Sequence, residues 1–349
     1  KNFLKDSDAL NRSYAVNALG KLKDTNVLFE ILDNINNETD WRVKVNAFNI
    51  INNFTYEQIK DNQDKINIAL LSLLQNRDEE DVNKVSYIIA FLGAVNKIYS
   101  NQNLTRKDNE KLYKFLDNFT LEKSVSGEAI KTIGNIFKDE MKNEFIDRFK
   151  NTNNFDIKSD IIRAFSSFND GKICKDVRDL IFNEVQEYGK THPIDKEKYI
   201  GAEDLGKLYR AYSELINSCL PKVNDEDKNT IRLICYDFLS SKDVVMVGNC
   251  LETLKDSSLQ AGNMKAETNQ VVQFEYQNFK LPEDFDIMNQ YIDFAGEMKI
   301  ESMKPALEEN LSSSQYEITK RSADALKKIT GKDYSEKISK AEGDRFQSM

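Results

Sequence analysis

Few residues in this chain are of a type that could do chemistry. His192 is the only histidine. Pro193 follows it in a loop rich in Gly, Thr and Pro, so a Ser-His-Asp or Cys-His arrangement has one possible base and no nucleophile on a recognisable elbow. Cys174, Cys219, Cys235 and Cys250 lack Cys-x-x-Cys spacing and each falls in a helical pattern. That predicts buried free thiols rather than a metal site or disulfide framework, and a reducing, cytoplasmic setting. The run Asp78-Glu79-Glu80-Asp81 precedes a predicted helix over Val82–Ala94, and Asn224-Asp225-Glu226-Asp227 lacks the Gly and terminal Glu of an EF-hand. Both runs suit the positive end of a helix better than a cation. Trp41, the sole tryptophan, sits at a turn between Asp40 and Arg42, where packing in the turn outweighs base stacking. No catalytic residue, cofactor or metal ligand emerges, and the expectation is a chain that is not an enzyme.

The elements around these residues repeat. Arg12 to Leu22, RSYAVNALGKL, sets Ala15, Val16, Ala18, Leu19 and Leu22 at helical spacing, breaks at Lys23 and Asp24, and is followed by a second apolar helix to Leu32. Taking Leu19 as the anchor, equivalent apolar positions fall at Ile51, Leu92, Ile133, Phe165, Tyr209, Leu251, Ala295 and Leu326. Each interval fits one helix pair with its turns. Gly20, Gly93, Gly134 and Gly296 recur one residue after an anchor. A mid-helix glycine costs about 1 kcal/mol relative to alanine, so its return predicts close packing between helices there.

Composition agrees with long helices and short turns: 40% hydrophobic and 31% charged residues, with only 4 Pro and 13 Gly. A formal net charge of −9 opposes a nucleic-acid backbone. No apolar run approaches the roughly 20 residues of a membrane span, and KNFLKDSDAL has no signal-peptide core. Sequons at Asn37, Asn103 and Asn310 are what an asparagine-rich chain produces by chance.

The second unit shows the pattern most fully, with Asp40, Val43, Lys44, Ala47, Ile50, Ile51 and Phe54. Here the chain resembles HEAT repeats, in which an Asp closes the turn between helices and a Val-Arg pair opens the second helix. Asp8 with Arg12, and Asn154 with Ile157 and Lys158, follow the same pattern. Val85 stands at the Arg position in the third unit, and the sixth helix, Tyr199 to Ile216, reads in more than one register. Pro305 fits the first turn of a helix, as in bacterial HEAT arrays. The resemblance implies an all-α fold, a right-handed α–α superhelix of about eight to nine helix pairs, continuous over 1–349. It specifies no activity. The second helices of HEAT pairs line the concave side. At the Asn17 position follow Asn49, Ala90, Lys131 and Arg163, with Asn249 further on. At the Lys21 position follow Asn53, Ala94, Asn135 and Ser167. This ladder is amide-rich and mildly basic in its middle, suited to an extended peptide or an acidic segment.

The stretch Ser257–Pro282 departs from the repeat. Val272, Phe274 and Tyr276 alternate with Gln273, Glu275 and Gln277, a period of two that predicts an extended insertion, with Phe274 and Tyr276 as candidate contacts in a binding flap. At the start only Phe3 and Leu4 remain of a first-helix partner, so the first unit is expected to lack a cap, and a chain opening on Lys1 to be part of something longer. Gly331 is expected to stop the last helix, leaving 332–349 as a polar tail. The functional expectation is a scaffold binding a protein or peptide partner through Asn17, Asn49, Asn53, Lys131, Asn135 and Arg163. The alternative is the repeat region of a larger enzyme, such as one fused to a prolyl isomerase.

Overall fold

Several helices begin on an Asp or Asn side chain. The Asp8 carboxylate accepts from the Leu10 amide, Asp40 from Arg42, Asn154 from Asp156 and Ile157, Asn224 from Asp227, and Asp243 from Val245 and Met246. Each satisfies amides that have no acceptor inside the helix. The capping expected at Asp8, Asp40, Asn154 and Asn224 is present.

The computed structural model describes residues 2–35, 37–60, 66, 84–102, 104–122, 124–191 and 203–338. His192, the run Asp78–Asp81, Asn103 and the tail beyond Ile338 lie outside them. The described residues form helices joined by turns and loops, with seventeen α-helices and no strand among them. The chain divides into two compact units, Lys1–Asn169 and Asp170–Met349, each taken by itself below.

In the first unit the helices are α1 (Ala9–Gly20), α2 (Thr25–Ile35), α3 (Trp41–Ile51), α4 (Tyr56–Ile59), α5 (Lys84–Tyr99), α6 (Glu110–Phe119), α7 (Ser126–Phe137), α8 (Lys142–Asn151) and α9 (Phe155–Ala164). The odd helices α1, α3, α5, α7 and α9 form a row in which each packs on the next. The helices α2, α4, α6 and α8 lie against α3, α5, α7 and α9. Aromatic contacts join α3 to α5 (Phe48 to Phe91), α5 to α6 (Phe91 to Phe115), and α8 to the turn after α9 (Phe145 to Phe165 and Phe168).

The second unit contains α10 (Ile173–Thr191), α11 (Glu203–Cys219), α12 (Asp225–Leu239), α13 (Val244–Leu254), α14 (Met264–Tyr276), α15 (Phe285–Met298), α16 (Lys304–Asn310) and α17 (Tyr316–Thr330). Here α11, α13, α15 and α17 form the row, and α10, α12, α14 and α16 pack on them in turn. Pro305 stands in the first turn of α16. Gly331, at φ 74°, ends α17 in the left-handed conformation that glycine adopts without strain.

The anchors Ile51, Leu92, Ile133, Phe165, Leu251, Ala295 and Leu326 are all at most 3% exposed, while Leu19 is half-buried. Tyr209 is not in this register: it is half-buried, whereas Tyr212 is buried and donates to the Cys174 carbonyl on α10. The long apolar pattern of α11 offered both phases, and packing selects the later one. The glycines behave as expected at three of four positions. A Cβ on Gly20 would overlap the Ile50 side chain. One on Gly134 would lie 3.2 Å from Ala164 Cβ, and one on Gly296 2.8 Å from Ala325 Cα. In all three the neighbour is the residue before the next anchor. Gly93 has no such neighbour among the described residues.

Two expectations are corrected. Ser257–Pro282 is no extended insertion. It holds a 3-10 turn at Ser257–Leu259 and the helix α14, which takes the ordinary place of a first helix against α15. The operative period is four: Thr268, Val272 and Tyr276 are at most 5% exposed, while Phe274 is 63% exposed. Alternating β-prone residues suggested a strand, but burial of that i, i+4 stripe decides the conformation. Nor are all four cysteines free. Cys174 and Cys219 join α10 to α11 by a disulfide across a Cα–Cα distance of 6.1 Å, while Cys235 and Cys250 are buried free thiols. Helices that pair across a sequence separation of 45 can juxtapose cysteines without any short motif. The bridge removes the argument for a reducing compartment.

Candidate binding surface

The ladder positions divide into exposed ones and ones consumed by packing between row helices. Asn17 and Asn49 are exposed, as is Lys131, and Arg163 is half-buried. Ala90 is 8% exposed and Ala94 fully buried. In the Lys21 row Lys21 and Asn53 are exposed and Asn135 and Ser167 half-buried, and three of these polar side chains also bond within the packing. Asn53 Nδ2 donates to the Gly20 carbonyl at 3.5 Å and Asn135 Nδ2 to Asn96 Oδ1 at 3.1 Å, while Ser167 Oγ donates to the Ala164 carbonyl at 2.8 Å. Asn46 likewise donates to Ser13 from α3 to α1. In the second unit Asn249 Nδ2 donates to Ser213 Oγ at 3.1 Å and Thr253 Oγ1 to Asn217. Side-chain amides that are hydrogen-bonded across a helix interface help to fix the register of that interface. Asn53, which is exposed, and the half-buried Asn135 thus also serve as inter-helix rungs.

The expected basic centre is also corrected. Lys131 Nζ stands 3.9 Å from the Glu128 carboxylate and Arg163 Nη1 3.4 Å from Asp160, each one turn earlier on its own helix. Burial pushes the Asp160 carboxyl above its ordinary value against the pull of Arg163, and Asp156 and Glu128 add to the rise. The four groups offset one another, leaving a polar strip of mixed sign. The candidates Phe274 and Tyr276 part company. Phe274 projects outward, whereas Tyr276 is 5% exposed and accepts from Asn310 Nδ2 at 2.6 Å.

Sequence reasoning missed a polar cluster on α6 and α8. Arg148 donates to Asp117 at 2.7 Å, to Tyr113 Oη at 2.7 Å and to Glu144, while Arg106 pairs with Glu144 and lies 4.0 Å from the Tyr113 ring centre. Burial, then donation to Glu144, pushes the Tyr113 phenol well above its ordinary value. Its signal was two i, i+4 pairs on successive helices, Tyr113 with Asp117 and Glu144 with Arg148. Beside it lies an open cleft of about 340 Å³ lined by Asp117, Thr120, Arg148, Ile130 and Ile157, with Leu121, 86% exposed, at its lip. In the second unit a shallow depression of about 500 Å³ on α15 and α17 carries Lys320, Arg321, Lys327 and Lys328 with Asp293, Glu317 and Asp324.

Among the described residues no group of three or more His, Cys, Asp or Glu is placed to hold a metal ion, and no helix is long and apolar enough to cross a membrane. No family model and no curated protein matches the chain.

Proposed function

We propose that this protein is a non-catalytic scaffold, built as a HEAT-like superhelix, that holds a protein or peptide partner along the exposed strip of the row helices. One observation carries the reading: in the first unit Asn17, Asn49, Lys131 and Arg163 stand at one position of α1, α3, α7 and α9 and keep solvent access, with only the buried Ala90 of α5 interrupting them. The neighbouring anchors Ile51, Leu92, Ile133 and Phe165 are spent on packing. A regular succession of amides and offset charges on rigid helices can hydrogen-bond an extended backbone without demanding one side-chain sequence. The offset charges favour a polar, near-neutral segment over the acidic one first expected.

The test is selection of short random peptides on the intact protein, followed by affinity measurement on Asn49→Arg and Arg163→Glu variants. Peptides whose affinity falls about tenfold or more in these variants support the strip. Peptides indifferent to both changes place binding elsewhere.

A further inference from the structure

The helix α5 departs from the other row helices of its unit on the face it gives to solvent. Val85 takes the place before the anchor that Arg12 holds on α1, Lys44 on α3 and Lys158 on α9, and the ladder position is the buried Ala90. The residues turned outward are apolar: Val85 is 38% and Ile89 44% exposed. Val85, Ile89 and the half-buried Gly93 stand at i, i+4 and i+8, and so share one face of the helix. With α3 and α7 on its flanks, and α4 and α6 packed behind it, α5 has its open side along the strip. It lies in the middle of the row, so this exposure does not come from a chain end.

Gly93 is the second departure. Gly20 and Gly134, at the same place on α1 and α7, are met closely by Ile50 and Ala164 of the next row helix, whereas a Cβ on Gly93 would have no described atom within 4 Å. The corresponding residue of α7, Thr132, is fully buried and still lies farther than 4 Å from that point. One turn on, Asn135 of α7 donates to Asn96 of α5 at 3.1 Å, so the two helices are joined beyond the opening. A glycine inside a helix costs about 1 kcal/mol relative to alanine, and no contact with a described residue offsets that cost here. What the glycine leaves is room for an incoming chain to come close to α5.

Taking the strip as the partner surface, we infer that Val85, Ile89 and Gly93 are its specificity site: the bound segment is extended and polar, and carries one aliphatic side chain that lies over Gly93 against Ile89 and Val85. Helices packed about 8–10 Å apart are spanned by about three residues of extended chain, at about 3.3 Å each. The aliphatic residue is therefore flanked, about three places to either side, by polar residues that face the exposed Asn49 of α3 and Lys131 of α7. Asn49 offers an amide, and Lys131 stands 3.9 Å from Glu128, so the flanks suit uncharged polar groups better than a run of one charge.

The probe is the tightest peptide from the random selection described above, labelled and titrated by fluorescence anisotropy against the intact protein. Ile89→Asp and Gly93→Leu should each weaken it about tenfold or more, and Ile89→Leu by less than about threefold. Replacing the aliphatic residue of the peptide by Ser should cost a similar factor, and that cost should largely vanish in Ile89→Asp, because the two changes remove one contact. Thermal melts of the variants, recorded alongside, should not fall below that of the wild type, since Ile89 is open to solvent and leucine is a better helix former than glycine. Affinity lost in Asn49→Arg and Arg163→Glu but kept in Ile89→Asp and Gly93→Leu, or selected peptides with no common aliphatic position, overturns the inference and leaves the strip standing. Indifference to all four substitutions, or the recovery of no peptide, overturns both. Sedimentation velocity of the protein alone adds one more arm: a dimer that dissociates in Ile89→Asp would show a second copy seated on α5, and would also overturn the inference.

Discussion

The Arg12 guanidinium clasps Glu38 with two parallel hydrogen bonds, Nε to Oε2 at 2.8 Å and Nη2 to Oε1 at 2.7 Å, tying α1 to the turn that starts α3. Arg12 also donates to the carbonyls of Asp6 and Ser7, and Glu38 accepts from the Thr39 and Asp40 amides. The pair therefore joins two successive row helices through the backbone on both sides. With the side chains only 16% and 8% exposed, it is worth more than a surface ion pair.

Glu38→Gln should destabilise the first unit by about 1–3 kcal/mol at neutral pH, read from chemical denaturation. The effect carries a pH signature. Burial raises the Glu38 carboxyl, but the Arg12 fork and the two amides outweigh it and hold the carboxyl below its ordinary value. A carboxyl depressed on folding contributes stability that is complete above its unfolded value, about 4.3, and is lost as pH falls through the folded one. The gap between wild type and Glu38→Gln should therefore close as pH drops below about 4. A gap constant down to pH 3 would show that the pair carries no such linkage.

The glycines separate packing from propensity. Gly296→Ala places a methyl against the Ala325 backbone, and should cost about 1–3 kcal/mol even though alanine is the better helix former. Gly93→Ala meets no described atom within 4 Å, and should stabilise by about 0.4–1 kcal/mol. Urea titrations of the two variants should move in opposite directions; a shift of the same sign in both would contradict the close approach at Gly296.

The phase of α14 can be checked with two aromatics. Tyr276→Ala empties a buried site that also accepts from Asn310 and should cost about 3 kcal/mol or more. Phe274→Ser changes a side chain that is 63% exposed and should fall within about 0.5 kcal/mol. Comparable losses at both sites in urea would restore the alternating pattern of a strand.

Peptide mapping without reductant should find one bridge, Cys174 to Cys219, with Cys235 and Cys250 unlinked. Cys219→Ser should lower stability by about 2–4 kcal/mol relative to the oxidised protein. An unbridged map from protein purified under air would remove the covalent tie between α10 and α11.

Much of this architecture was legible because its determinants are local. The caps at Asp8 and Asp40, the stop at Gly331 and the apolar anchors are all specified within a turn or two of sequence. What escaped depends on partners far along the chain. Tyr212 displaced Tyr209 because α10 lies on that side, and Cys219 found Cys174 only through the pairing of α10 with α11. Arg12 was expected beside Asp8 and instead reaches Glu38. Of the surface residues, Asn17 and Asn49 were placed outward as expected. Asn53 is exposed and Asn135 half-buried, and both also bond to the neighbouring row helix, since an asparagine that faces a groove and one that bridges two helices have the same periodicity. Lys131 and Arg163 each had an acid one turn earlier, Glu128 and Asp160, so their partial neutralisation was already visible in the spacing.

The central claim is that a partner lies along the exposed strip of the row helices in the first unit. Hydrogen–deuterium exchange of the intact protein, with and without a selected peptide, addresses it most directly. Slowed exchange is expected in α3, α7 and α9, around Asn49, Lys131 and Arg163, with α2, α6 and α8 unchanged. Protection confined to α6 and α8, beside Arg148 and Leu121, would contradict the account and move the site to the cleft.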